Sequence, residues 1–354
     1  MRLVTFELST AVGAVRRSGA LLSEADLVID LAAAHAARLA SNGMPVARAM
    51  ADPTVPSDLH ELLQGEDPAL EAARAAIEHA TASGAEAIAG IRVIHARDDV
   101  RLLTPLPRPT SIRNFSLVEQ HMLSAIERMN AKKIGGMEPS LTRIPPEWYE
   151  LPAFYKTTVE EVYGPDDVIP WPQLTDFFDY ELEIAAVVGR TGRGIAAEDA
   201  IRYIAGFTLY NDWSARDFQQ REMSVNLGPG LCKDFASSLG PCLVTPDEFD
   251  VLGAQLTARI DGETWTDTTA GLRVGFEELV AYTSQVMTLM PGDVLTSGTV
   301  AGGSGSEQER WLWPGAVVEL EAEGIGVLRN VVGSKGAPVE LPASQRPWTR
   351  AIPQ

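Results

Sequence analysis

The stretch FFDYELEIAAVVG, residues 177–189, constrains this chain more than any other. Asp179, Glu181 and Glu183 occupy every second position and run directly into the apolar segment Ile184–Val188. Side chains on a strand alternate between faces, so the spacing predicts three carboxylates on one side, about 6–7 Å apart. The apolar tail predicts a strand that enters a core. Like charges that close raise one another's pKa, and burial raises them further. A chain that sends such charges inward must offset their repulsion. The alternative reading is an edge strand with three solvated acids.

Composition narrows the partners. The net charge of −19 repels phosphate backbones and anionic membranes, which argues against nucleic acid as a partner. No segment approaches the roughly 18 consecutive apolar residues of a membrane span. The start, MRLVTFELSTAVGAVRRSG, lacks the basic region and apolar run of a secretory signal. Two cysteines, Cys232 and Cys242, fit a reducing cytoplasm and small core side chains better than a disulfide framework. The expectation is a cytoplasmic protein that works on a small molecule.

At 354 residues the chain has room for two domains. The texture changes near 100–110, where HARDDVRLLTPLPRPTSIRNF brings a cluster of prolines. Before it, MRLVTFEL and AVGAVRRSGALLS read as strands and turns, and residues 68–84 as a helix closed by Ser83-Gly84. Pro139–Pro172 is dense in proline and aromatic residues and reads as a long ordered loop over a cleft. From Phe177 onward strands dominate: YELEIAAVVG, IAGFTLYNDW, GPCLVT, AQLTARIDGETW and VVELEAEGIGVLRNVV. Helices are expected at AAEDAIRYI and GFEELVAYTSQVMTL. The fold class is α+β, mostly β, with an accessory unit over 1–103 and a main domain over 104–354.

Several chemistries lack the residues they need. The five histidines all lie at or before position 121, and no spacing supplies a zinc site of the His/Cys kind. GRTGRG at 189–194 has the wrong spacing for a phosphate loop and reads as a turn. AGGSGSE lacks the strand–turn–helix context of a serine nucleophile. A site built only of carboxylates remains, and its oxygen ligands suit Mg²⁺, Ca²⁺ or Mn²⁺. A dication on Glu181 and Glu183 offsets their repulsion. Asp212, in IAGFTLYNDW, stands at the end of the next strand, where sites are commonly built.

Four segments in order, DYELEIAAVVGR, GFTLYNDWSARDFQQRE, LCKDFASSLGPCLVTPDE and MPGDVLTSGTVAGGSG…GIGVLRN, resemble the fumarylacetoacetate hydrolase superfamily over about residues 105–333. The resemblance implies a mixed β-roll catalytic domain with a small N-terminal α/β accessory domain, a divalent cation such as Mg²⁺, and a homodimer. It also implies hydrolysis of a carbon–carbon bond in a β-diketone or acylpyruvate, with decarboxylases, hydratases and isomerases of keto acids on the same scaffold. A catalytically lapsed metal-binding protein is the remaining alternative.

Carried over by position, Glu181, Glu183 and Asp212 become the metal ligands. The family's D-x-Y segment is RNFSLVEQH here, so Asn114 replaces a fourth aspartate ligand and Ser116 a substrate-contacting tyrosine. Asn114 still offers a neutral oxygen. His121 matches the general base and Glu307 its carboxylate partner, since Ser124 occupies the shorter members' partner position. A lone histidine in such a helical run is otherwise structural or exposed. Lys233 matches the active-site lysine, and Gln219 and Thr299 match substrate contacts. Ser237 lies where larger members hold a second cation, and Met223 replaces a polar contact. Arg216 and Asp217 read as braces for their loop. Arg128, Lys132 and Lys133 are the cations within reach for an oxyanion role.

Overall fold

Two kinds of burial pattern sort the strands into two sheets. Leu182–Val188 and Ile204–Asn211 are buried at every position, as expected of strands covered on both faces. They lie at the centre of the larger sheet. Its order is Ile94–Ala96, Leu27–Asp30, Gly13–Leu22, Arg2–Thr10, Ser237–Val244, Ile204–Asn211, Leu182–Val188, Asp293–Thr296, Ser111–Phe115 and Phe154–Thr157. Along this path only Asp293–Thr296 and Ser111–Phe115 run parallel. Val317–Ala322, by contrast, alternates between buried and half-buried residues, the mark of a strand with one covered face. It belongs to a smaller sheet, ordered Val168–Trp171, Gly326–Lys335, Val317–Ala322, Gln255–Ile260 and Glu263–Thr269. Ile184 and Leu209 from the larger sheet share one core cluster with Leu256, Leu320 and Leu328 from the smaller. The result is a mixed β-roll. This computed structural model describes residues 1–336 except 12, 23–24, 85–86, 89 and 132–141, so Lys132 and Lys133 lie outside the described residues.

Local chemistry explains the main elements. Asp261-Gly262 joins Gln255–Ile260 to Glu263–Thr269, and both turn residues take positive φ, 49° and 81°; glycine accepts this freely and aspartate tolerates it. Asp30 caps the Leu31–Ser41 helix, accepting from the Ala33 amide at 3.0 Å, and pairs with Arg17 at 2.7 Å. The helix expected over 68–84 spans Glu66–Ser83 and ends at Gly84 in the left-handed region. Arg2–Thr10 pairs with Ser237–Val244, so the first hundred residues extend the larger sheet. The change of texture near 103 falls between the strands Arg101–Leu103 and Ser111–Phe115. Both cysteines are free and buried, and burial pushes the Cys242 thiol up to about 12.

Two expectations need correction. The Pro139–Pro172 segment is not loop throughout: it holds a short helix, Pro146–Glu150, and the strands Phe154–Thr157, Val162–Tyr163 and Val168–Trp171. Among the described residues its prolines sit between these elements, at the first position of the short helix or on an edge strand, where the missing N–H costs little. AAEDAIRYI does hold a short helix, of the 3₁₀ kind, over Ala197–Tyr203. The acidic strand is interrupted, with Phe178–Asp179 pairing elsewhere before Leu182–Val188 begins.

Candidate active site

Sheet register brings the acids together. Asn114 stands opposite Thr296, Thr296 opposite Ala185, and Glu183 opposite Tyr210, so the ends of four adjacent strands converge. Asp212 follows directly after Asn211, the last residue of its strand. Glu181, Glu183 and Asp212 are all buried, with ligand oxygens within 4.8 Å of one another. A turn at Gly298 completes this corner. Gly298 has φ 73°, and a Cβ there would lie 2.2 Å from the Phe115 carbonyl, so only glycine lets the Thr296–Thr299 segment cross so close.

The three acids differ in their support. Glu181 accepts from Arg216 Nη1 at 2.7 Å and Lys233 Nζ at 2.6 Å. Burial opposes its charge, but Arg216 and Lys233 outweigh burial and hold its carboxyl below the usual range. Glu183 has neutral donors: Asn114 Nδ2 at 3.2 Å and Thr296 Oγ1 at 2.5 Å. Burial and the charges of Asp212 and Glu181 push it well above the ordinary carboxylate value. Asp212 Oδ2 accepts from Lys233 at 2.6 Å and from the Tyr155 hydroxyl. Burial raises Asp212 to about 6 despite Lys233. Its other oxygen, Oδ1, is buried with no partner. A bare buried carboxylate oxygen beside two more acids is what a hard cation requires, so the residues fit a divalent ion, and its identity stays open among Mg²⁺, Ca²⁺ and Mn²⁺. Lys233, also bonded to Ser214 Oγ at 2.6 Å, reaches two of the three acids and leaves Glu183 unserved.

A histidine pair stands beside this cluster. His121, near the start of the Glu119–Asn130 helix, has Nδ1 3.0 Å from Glu307 Oε2. Glu307 is held in turn by the Gly302 amide at 3.1 Å and Ser304 Oγ at 3.0 Å. Glu181 and Glu183 share one cavity of about 820 Å³ with His121 and Glu307, lined also by Asn114, Ser116, Gln219, Thr299 and Lys233. Ser116 accepts from Trp148 Nε1 at 3.3 Å, and Gln219 Oε1 from Arg216 Nη1 at 3.1 Å. Of the residues named from the sequence, Asn114, Ser116, His121, Glu181, Glu183, Gln219, Lys233, Thr299 and Glu307 line this one cavity, and Asp212 lies behind it against Lys233. Arg128 is engaged at the rim, donating to the Glu307 carbonyl and Glu309. Ser237 is bonded to the Tyr210 hydroxyl at 2.7 Å.

Other residues depart from the sequence reading. Asp179 does not join the metal-type cluster; the strand break turns it to accept from Arg216 Nε at 2.8 Å, the Gly305 amide at 2.8 Å and the Ser306 amide at 3.1 Å. Arg216 does more than brace a loop, since it ties Asp179 to Glu181 and lines the cavity. Asp217 does brace, accepting from Thr175 and the Asp176 amide. Tyr155 was not foreseen. Its position opposite Asn114 in the Phe154–Thr157 strand is the signal that could have found it.

Comparison with known proteins agrees with this geometry. Residues 125–333 match the family model described as fumarylacetoacetate (FAA) hydrolase C-terminal. The human protein named oxaloacetate tautomerase FAHD2A, mitochondrial, is 30% identical over 284 residues, covering 79% of this chain and 81% of that one. The rat oxaloacetate tautomerase Fahd2a is 31% identical over the same length. Among solved structures, the fumarylacetoacetate hydrolase of Exiguobacterium antarcticum superposes with TM-score 0.64 at 23% identity, covering 94% of this chain and 99% of that chain. The 5-carboxymethyl-2-hydroxymuconate delta-isomerase of Mycobacterium smegmatis gives 0.61 at 22%, covering 95% and 100%; these two likenesses speak for the fold. With the family model spanning more than half its length and two such relatives, the chain belongs to the fumarylacetoacetate hydrolase family.

Proposed function

We propose that this chain is a divalent-metal-dependent enzyme that hydrolyses a carbon–carbon bond in an acylpyruvate or β-diketone. The observation that carries the reading is the buried triad Glu181, Glu183 and Asp212, of which Glu181 and Glu183 line the same cavity as the His121–Glu307 pair. Glu181, Glu183 and Asp212, with Asn114 as a neutral neighbour, would hold the cation, which would supply Lewis acidity toward enolate charge.

The chain's own residues do the rest. Glu307 accepts from Nδ1–H of His121 and leaves Nε2 as the basic atom. Nε2 takes a proton from water, whose oxygen adds to the carbonyl distant from the carboxylate. The carbon–carbon bond then breaks, its electron pair passing into the enolate of the oxo acid, and His121 returns the proton to carbon. Lys233, fixed on Glu181, Asp212 and Ser214, keeps the local potential from turning strongly negative as this charge develops. Gln219, Thr299 and Ser116 offer polar contacts to the substrate. A second reading is keto–enol tautomerisation, favoured by the names of the human and rat relatives; there Nε2 takes its proton from the carbon beside the carbonyl.

The test is product analysis by NMR with Mg²⁺ present. Acetylpyruvate is expected to yield pyruvate and acetate, and His121→Ala to lower kcat/KM by about 10³-fold while Mg²⁺ affinity is kept. Loss of the enol signal without cleavage supports the second reading. Absence of turnover of both acetylpyruvate and oxaloacetate with Mg²⁺, Mn²⁺ and Ca²⁺ overturns both. The homodimer is part of the proposal and is checked by light scattering.

A further inference from the structure

The cavity lining has an apolar patch besides its carboxylates, and two helices contribute to it. On Arg216–Met223, residues Arg216, Gln219, Gln220 and Met223 line the cavity, the spacing of a single helix face. Arg216 pairs with Glu181 at one end, and Met223 stands seven residues on, about 10 Å along the axis. On Glu119–Asn130, His121, Met122, Ala125 and Ile126 line it, and Ile126 lies about 7 Å of helix rise beyond His121. Trp148 and Leu151 form a further wall. Met122, Ile126, Trp148, Leu151 and Met223 thus give the lining an apolar patch, bordered by polar Gln220, Ser224 and Asn226.

Three cations line the cavity among the described residues, and each is engaged: Lys233 by Glu181 and Asp212, Arg216 by Asp179 and Glu181, Arg128 by Glu309 and the Glu307 carbonyl. The outer wall adds an acid, Glu147. Among the described residues, a second carboxylate on the substrate finds no unengaged cation in the lining and meets a like charge. A volume of about 820 Å³ falls in the roughly 300–1,000 Å³ range of pockets that enclose drug-sized ligands, far more than a four-carbon acid fills.

We infer that the substrate is a monocarboxylic oxo acid whose far end is an uncharged apolar group, alkyl or aryl, lying along Met122, Ile126, Trp148, Leu151 and Met223. This rests on the oxo-acid reading above and adds a preference against dicarboxylates.

Calorimetric titration of the Mg²⁺-loaded full chain with four probes tests it: oxamate, N-oxalylglycine, N-hexyloxamate and N-benzyloxamate. All share one chelating end and differ in the tail. Each methylene buried adds about fourfold, so the hexyl and benzyl compounds are expected to bind at least ~30-fold tighter than oxamate, and N-oxalylglycine no tighter. Met223→Lys is expected to cut the hexyl advantage at least tenfold and to strengthen N-oxalylglycine. Trp148→Ala, on the opposite wall, is expected to reduce the benzyl advantage alone, with oxamate binding reporting on the fold of each variant. If oxamate binds but apolar tails add nothing, or N-oxalylglycine binds tightest, the inference is overturned and the oxo-acid reading stands. If none of the four binds in the presence of Mg²⁺, the oxo-acid reading itself fails.

Discussion

Asp179 and Asp212 lie on either side of Glu181 and are both fully buried, yet they do opposite things. Asp179 is surrounded by donors: Arg216, the amides of Gly305 and Ser306, and the amide of Tyr180 at 2.9 Å. Burial raises its pKa, and Arg216 pulls it back. It clamps the turn carrying Glu307 to the strand carrying Glu181. Asp212 keeps one oxygen bare in the interior. A buried acid with every lone pair served is mortar, whereas one left short is a site.

The largest expected effect breaks the first half of this contrast. Asp179→Asn leaves Arg216 short of its partner, so urea denaturation is expected to show a loss of about 3 kcal/mol, with cation affinity changed less than tenfold. Asp212→Asn is expected to do the reverse: Mg²⁺ affinity measured by calorimetry falls about 100-fold, while metal-free stability moves by no more than about 1 kcal/mol. Should both variants lose metal and stability alike, the contrast is wrong.

Acidity sharpens it. Asp212 sits at about 6 when folded, above the roughly 3.9 of an unfolded aspartate. Its contribution to stability is therefore full below about pH 4 and is lost as pH rises through 6, on the order of 2–3 kcal/mol. Thermal scans in EDTA are expected to show lower stability at pH 8 than at pH 5. Added Mg²⁺ raises the midpoint strongly at pH 8 and little at pH 5, because protonated ligands do not bind it. A midpoint gain equal at both values removes Asp212 from the metal site. The smallest effect tests the second clamp: Ser304→Ala removes one of three donors to Glu307, and a loss of about fivefold in kcat/KM is expected, with Mg²⁺ affinity unchanged.

Legibility in the sequence followed the range of the interactions. Glu181, Glu183 and Asp212 could be read because strand alternation and a strand end are local features. The break at Asp179 could not, since it comes from a bridge between Glu181 and Ser304 and from Asn211 Oδ1 accepting the Glu181 amide at 2.9 Å. His121 and Glu307 are 186 residues apart, and only the order of motifs joined them. Tyr155 escaped notice because prolines around it read as loop, whereas pairing with Ser111–Phe115 makes its segment a strand. The β-roll itself was expected from the motif order rather than from periodicity, which distinguishes covered strands from half-covered ones but not their neighbours.

The ammonium of Lys233, wedged between Glu181 and Asp212, sets the valence of the whole corner. Three carboxylates against one ammonium and one dication leave no formal charge, while Arg216 and Asp179 cancel separately. An incoming monoanion then makes the corner singly negative, and each further anionic group deepens that imbalance in a medium that screens it poorly. A fixed lysine in such a place acts as a counterweight: it limits how much negative charge a guest can bring with it.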